Sequence, residues 1–216
     1  MYSASAKKTK FGRETVQKEA VHKGRPREFD AEKALDKALH VFWARGYEGT
    51  SLSDLTEAMG ISRPSLYAAF GNKEELFRRA LDRYAEKGPG AIHGEALAEP
   101  TARKVVEHLL RSVAISLTDP CNPSGCLAVQ GALTCSQAAE SIRQELCKRR
   151  SEGEDNLRQR LERAKAEGDL GPQSDPAALA CYIITITQGM SVQASGGASR
   201  ADLLTVAEMS LRAWPG

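Results

Sequence analysis

The feature that most constrains this chain is a pair of short apolar-periodic segments set around a single glycine. Residues 53–59 place Leu55, Ala58 and Met59 at helical spacing, Gly60 follows, and Ser62 opens a second segment whose stripe is Leu66 and Phe70. An α-helix repeats every 3.6 residues, so positions i, i+3 and i+4 share a face. Glycine accepts the left-handed backbone of a sharp reversal without a Cβ clash. Ser62 suits an N-cap, and Pro64 is tolerated in a first turn, where its missing N–H has no partner to lose. Helices of about two turns are not stable alone, so longer neighbours must cover them.

Those neighbours are legible. A helix is predicted from an Asp30 cap to Arg45, with Leu35, Leu39 and Phe42 on one face and Gly46 ending it. Another follows Asn72, which with Glu75 reads as a variant capping box, and it carries Leu76, Phe77, Ala80, Leu81 and Tyr84 until Gly88, Pro89 and Gly90 break it. Further helices are predicted over 101–117, from near Cys126, over 136–168 as one long charged helix, and over 176–194 and 200–214, with a loop at 119–125. Alternating strand patterns are scarce. The fold class is therefore all-α: an N-terminal three-helix helix-turn-helix domain joined to a larger helical domain for ligand binding and dimerisation. The predicted division is a flexible basic arm at 1–28, the helix-turn-helix domain at 29–72 and the effector-binding and dimerisation domain at 73–216.

Charge is unevenly distributed. Residues 1–87 carry 17 Lys/Arg against 13 Asp/Glu, whereas 88–216 carry 13 against 15. The first 28 residues hold eight basic and three acidic residues and few large apolar ones, a composition that does not form a core. No stretch approaches the roughly 20 uninterrupted apolar residues of a membrane span, and no secretory apolar block follows the basic start. A cytoplasmic protein is expected. Five cysteines, an odd number without a signal peptide, are expected to be reduced thiols.

Two short helices at a tight turn, flanked by longer helices and a basic arm, make the arrangement that sets a recognition helix in a DNA major groove. With Leu66 and Phe70 inward, the wheel turns Arg63, Ser65, Tyr67 and Ala68 outward. Arg63 can give two hydrogen bonds to a guanine edge and Tyr67 one to a phosphate. Lys73 and the first amides of the fourth helix suit another phosphate, and Thr50 and Ser51 offer hydroxyls and amides to the backbone. Gly46, Tyr47, Thr50, Ser51, Leu55, Ala58, Gly60, Ile61, Ser62, Leu66, Tyr67, Phe70 and Lys73 through Leu76 together resemble the N-terminal signature of the TetR family. The resemblance implies a transcriptional repressor of palindromic operators, in which Ser62, Arg63, Pro64, Ser65, Tyr67 and Lys73 inherit operator-contacting positions. Ser65 keeps the hydroxyl of the Thr common there. The rigid ring of Pro64 means that the bases read do not carry over.

One such motif reads one half-site, so a homodimer is expected. The last two helices offer Ile183, Ile186, Met190, Leu203, Leu204, Val206 and Leu211 as interface, and the resemblance implies a four-helix bundle across the two-fold axis. The stretch from Pro123 to Ala132 resembles a Gly-Cys-Leu element of some family members. Cys126, at a helix start where the dipole favours thiolate, reads either as a thiol switch or as a small buried hydrophobe. The other expected signal is a small effector in a pocket lined by Val105, Leu109, Val113, Leu127 and Tyr182. Cys121, Cys126 and Cys135 lack the CxxC spacing of zinc sites, so neither metal nor cofactor is expected. His22, His40, His93 and His108 are scattered and no nucleophile motif is present, which argues against an enzyme. A non-specific architectural DNA-binding protein is the alternative, disfavoured by a net charge of only +2.

Overall fold

The structure, a computed structural model, describes residues 29–87, 90–134 and 139–215. The predicted basic arm and Cys135 lie outside the described residues. Among those described there are ten helices and no strand: α1 (Ala31–Arg45), α2 (Leu52–Met59), α3 (Arg63–Phe70), α4 (Lys73–Lys87), α5 (Ala91–Leu97), α6 (Ala102–Leu117), α7 (Leu127–Thr134), α8 (Glu140–Ala166), α9 (Pro176–Ser195) and α10 (Arg200–Arg212).

Local chemistry sets the ends of the N-terminal helices. Asp30 accepts from the amides of Glu32 and Lys33 to start α1, and Gly46 at φ 71° ends it. Ser62 caps α3 through the Ser65 amide, with Pro64 in the first turn. Asn72 and Glu75 cap α4 reciprocally: each backbone N–H donates to the other's side chain, at 2.8 and 2.9 Å. Each cap satisfies amides that a helix start would leave unpaired.

Helices α1–α4 share one core of Ala38, Phe42, Leu55, Leu66, Phe70, Leu76, Phe77 and Ala80. Phe77 is its centre, edge-on to Phe42 at 4.9 Å and to Tyr47 at 5.1 Å. Arg83 of α4 forks onto both Asp36 oxygens of α1 at 2.7 and 2.9 Å and also meets Glu32. Leu127, Ile142 and Leu146 from α7 and α8 join the same core. A second core is built from α6, the far part of α8, α9 and α10, with Val105, Leu110, Leu157, Leu161, Ile183 and Leu203 inside it.

Two features depart from expectation. Helix α5 was not predicted, because it is short, contains Gly94 and has no side-chain N-cap. Its end is instead held from a distance: the guanidinium of Arg160, on α8, donates to the carbonyls of Leu97 and Glu99 at 3.2 and 2.8 Å. Helix α9 spans 20 residues with a mean hydropathy of 1.2, long and apolar enough to cross a membrane by those measures, contrary to expectation. Here one of its faces, carrying Ala180, Ile183, Ile184, Thr187, Met190 and Ala194, packs into the second core.

Phe77 is fully buried between two aromatic rings. Replacing it with alanine is expected to lower unfolding free energy by about 3–5 kcal/mol in urea denaturation, the range for a deleted core aromatic.

Candidate functional site

Helices α2 and α3 meet at Gly60, whose φ of 69° and ψ of 34° make the left-handed reversal. Leu66 and Phe70 anchor α3 in the core, and this register leaves Tyr67 about half exposed, at 49%, beside exposed Arg63, Pro64 and Ala68. Ser62 and Ser65 bond hydroxyl to hydroxyl at 2.9 Å at the helix start. The Arg63 guanidinium donates to the Ser53 hydroxyl at 2.8 Å, which leans it across α2, and the side chain is exposed. The face expected to be open is open.

Ser51 is exposed and closes a capping box with Asp54: the Ser51 amide donates to the carboxylate at 2.8 Å and the Asp54 amide donates to the hydroxyl at 3.1 Å. The Ser51 hydroxyl and amide, with Arg45 behind them, hold the Asp54 carboxyl down at about 2. Lys73 is half-buried with its ammonium 4.3 Å from the centre of the Tyr47 ring. Burial lowers its pKa, partly offset by Glu48 and Asp54. The cation is thus positioned by an aromatic face at the start of α4. Thr50 corrects expectation. It is buried, and its hydroxyl donates to the Gly46 carbonyl at 2.7 Å, so it closes the end of α1 and has no hydroxyl to offer a phosphate.

Beyond the helix-turn-helix, α4 through α9 line a partly open cavity of about 380 Å³. Of the residues expected around an effector, Val113 and Cys126 line it. Val105, Leu109 and Leu127 do not: each is buried in packed core, because the helix registers that fill the cores turn them away from the space. Tyr182 is also misassigned, lying exposed on the outer face of α9. Wall residues not anticipated include Tyr84, His93, Arg149 and Arg150. His93 is drawn from the unpredicted α5, and its burial depresses the imidazole pKa.

Cys126 joins this cavity to α1 and α4. Trp43 of α1 donates its indole N–H to the Gly125 carbonyl at 2.9 Å, and its ring meets Tyr84 edge-on at 5.0 Å. The Tyr84 hydroxyl donates to Cys126 Sγ at 3.5 Å, and the Cys126 amide donates to the Ser191 hydroxyl of α9 at 2.8 Å. Gly125 has φ of 88°, and a side chain there would collide with Gln130 and Ser195. Among the described residues no group of three or more His, Cys, Asp or Glu could hold a metal ion.

Of the residues expected to form an interface on the last two helices, Val206 lies outward but the others need correction. Ile183, Met190, Leu203 and Leu211 are buried within this subunit's own core, and Ile186 and Leu204 are packed at its edge. Outward lie Tyr182, Thr185, Gly189 and Val192 on α9 and Val206 and Met209 on α10, with Met209 63% exposed. The 3–4–3 spacing of 182, 185, 189 and 192 places them along one helical face.

Residues 34–80 match the family described as "Bacterial regulatory proteins, tetR family". Residues 102–202 match "Tetracyclin repressor-like, C-terminal domain". The HTH-type transcriptional repressor ComR of Escherichia coli K12 is 38% identical over 194 residues, covering 89% of this chain and 92% of ComR. An uncharacterized HTH-type regulator of Bacillus subtilis 168, YezE, is 32% identical over 161 residues, 74% of this chain and 83% of its own. Among solved structures, a cysteine mutant of the TetR family regulator CifR, complexed with 26-base-pair operator DNA, superposes with a TM-score of 0.85. It is 46% identical and covers 88% of this chain and 100% of its own.

Proposed function

This chain belongs to the TetR family of bacterial transcriptional regulators, and on that premise we propose that it is a repressor which holds a palindromic operator as a homodimer and releases it when a signal reaches the cavity beside Cys126. As a DNA-binding regulator it is not an enzyme. The observation that carries the proposal is the open face of α3, where Arg63 and Tyr67 stand exposed on a helix anchored from behind by Leu66 and Phe70. Arg63 is assigned to a base edge, Tyr67, Ser62, Pro64 and Ser65 to the groove wall, and Lys73 and Ser51 to phosphates. The operator complex of CifR and the repressor function in the name of ComR support this reading. Residues 29–72 are proposed as the DNA-reading unit and 73–216 as the effector-binding and dimerisation unit, working in the cytoplasm. The basic composition of 1–28 suits salt-dependent contact with the DNA backbone.

The apolar face of Tyr182, Val192, Val206 and Met209 is proposed as the surface that meets a second copy, because four large apolar side chains on adjacent helices form a patch that water covers poorly. Release follows from linkage. A signal lowers operator affinity only by binding more tightly to the dimer spacing that misfits the DNA. The path runs from the cavity wall at Cys126 to Ser191 on α9 and to Tyr84 and Trp43 on α4 and α1. A second reading makes the Cys126 thiol itself the sensor of oxidants or electrophiles, favoured by its position on the cavity wall.

Operator fragments selected from source genomic DNA provide the test, by fluorescence anisotropy against bulk DNA competitor. Arg63→Ala is expected to cost about 1–3 kcal/mol of operator binding and to relax preference at one base position, with folding stability unchanged. Unchanged affinity and preference, or loss of the site to bulk DNA in the unmutated protein, would sink the repressor assignment in favour of an architectural protein. Met209→Glu is expected to convert the dimer to monomer in sedimentation velocity and to weaken operator binding; a dimer that persists rejects that face. For the thiol reading, Cys126→Ser is expected to abolish release by thiol-reactive compounds, and release that survives the substitution eliminates it.

A further inference from the structure

We propose that the cavity beside Cys126 takes a small amphiphilic monocarboxylate, with its charged end on Arg150 and its apolar body in the interior. This rests on the reading that the occupant of the cavity is the regulatory signal, and it names the chemistry of that occupant. At about 380 Å³ the space lies at the small end of ligand pockets, which run from roughly 300 to 1,000 Å³. Leu81, Ile92, Val113, Leu117, Val129 and Ile184 supply an apolar wall.

The charged wall residues are not equivalent. Arg149 is already matched by two acids, Asp82 at 2.6 Å and Glu145 at 2.7 Å. Glu152 faces Lys148 at 3.8 Å. Arg150 forms no ion pair among the described residues; its Nη2 donates only to the Cys147 sulfur at 3.3 Å, and its Nε–H is buried without an acceptor. A guanidinium stays charged at any physiological pH, and a buried donor without a partner is costly. A ligand carboxylate on the outer nitrogens of Arg150 would supply the missing counter-charge, and the planar guanidinium suits its two oxygens.

The remaining wall chemistry limits the anion to a single charge. Burial holds His93 toward its neutral form, so it adds a hydrogen-bonding ring and no second cation. With Arg149 matched and Glu152 on the same wall, a dianion such as a phosphate monoester would face one unmatched cation and one carboxylate. An apolar tail with one carboxylate fits both the charge and the lining.

The test is isothermal titration calorimetry of the full chain with octanoate and with 1-octanol, which share an apolar tail and differ in charge. Octanoate is expected to bind at least tenfold more tightly, in line with one charge-assisted hydrogen-bonded pair. Arg150→Met should bring the two within about threefold of each other, and Arg150→Lys should keep part of the preference. Equal affinity in the unmutated protein, a preference that survives Arg150→Met, or no binding of either probe would overturn the proposal. If Arg150→Met does not fold, the unmutated comparison and Arg150→Lys still decide it. Operator binding of the unliganded protein is measured alongside. Its presence without a carboxylate preference rejects the ligand class alone, and its absence rejects the regulatory reading beneath it.

Discussion

Trp43 sits almost wholly inside the protein, where an indole N–H must find an acceptor or pay for its desolvation. The acceptor it finds is the carbonyl of Gly125, 82 positions further along the chain. That bond holds the loop after α6 against α1, and the adjacent Tyr84 ring closes the joint from α4. Gly125 is held in a left-handed conformation that favours glycine, and the next residue, Cys126, lies on the cavity wall. The cavity and the helix-turn-helix are therefore in contact through a few packed groups. A shift of Cys126 or Tyr84 must be accommodated by Trp43 or by Ser191, since close-packed interiors do not deform continuously.

The same economy governs α9. A helix of 20 residues without a charged side chain would be a liability if one whole face met water. One stripe fills the core, and the opposite stripe, from Tyr182 to Val192, remains exposed in the isolated subunit. Helix α10 continues that stripe with Val206 and Met209. Ser191 lies on the buried side of α9 and holds the Cys126 amide, so the cavity wall and the exposed stripe belong to one rigid element. A change in α9 registers at both.

How legible the protein was differs by region. In the N-terminal unit, caps, glycines and stripes all agree with the tertiary packing, and the ends of α1, α3 and α4 fall where Asp30, Ser62 and Asn72 set them. The open face of α3 follows from the same register. Thr50 escaped because a hydroxyl beside a helix start serves equally to contact a ligand or to close the preceding turn, and only the position of the Gly46 carbonyl chooses between them. In the C-terminal half, the apolar residues of α9 and α10 were recognised, but which of them face inward was not, since a helix apolar over most of its circumference has no unambiguous stripe. The cavity was misplaced for the same reason: its wall draws on α5, which carries almost no local signal and is secured by Arg160 from α8.

The sequence by itself determined the all-helical class, the helix-turn-helix and its outward face, because caps, left-handed glycines and a two-residue apolar anchor act over fewer than ten neighbouring residues. Tertiary structure alone decided the cavity, the joint at Trp43 and Cys126, and the division of α9 and α10 into core and outer faces. Those depend on pairings across 42 and 82 positions, Tyr84 with Cys126 and Trp43 with Gly125, and no local pattern specifies which distant carbonyl or sulfur a buried donor will meet.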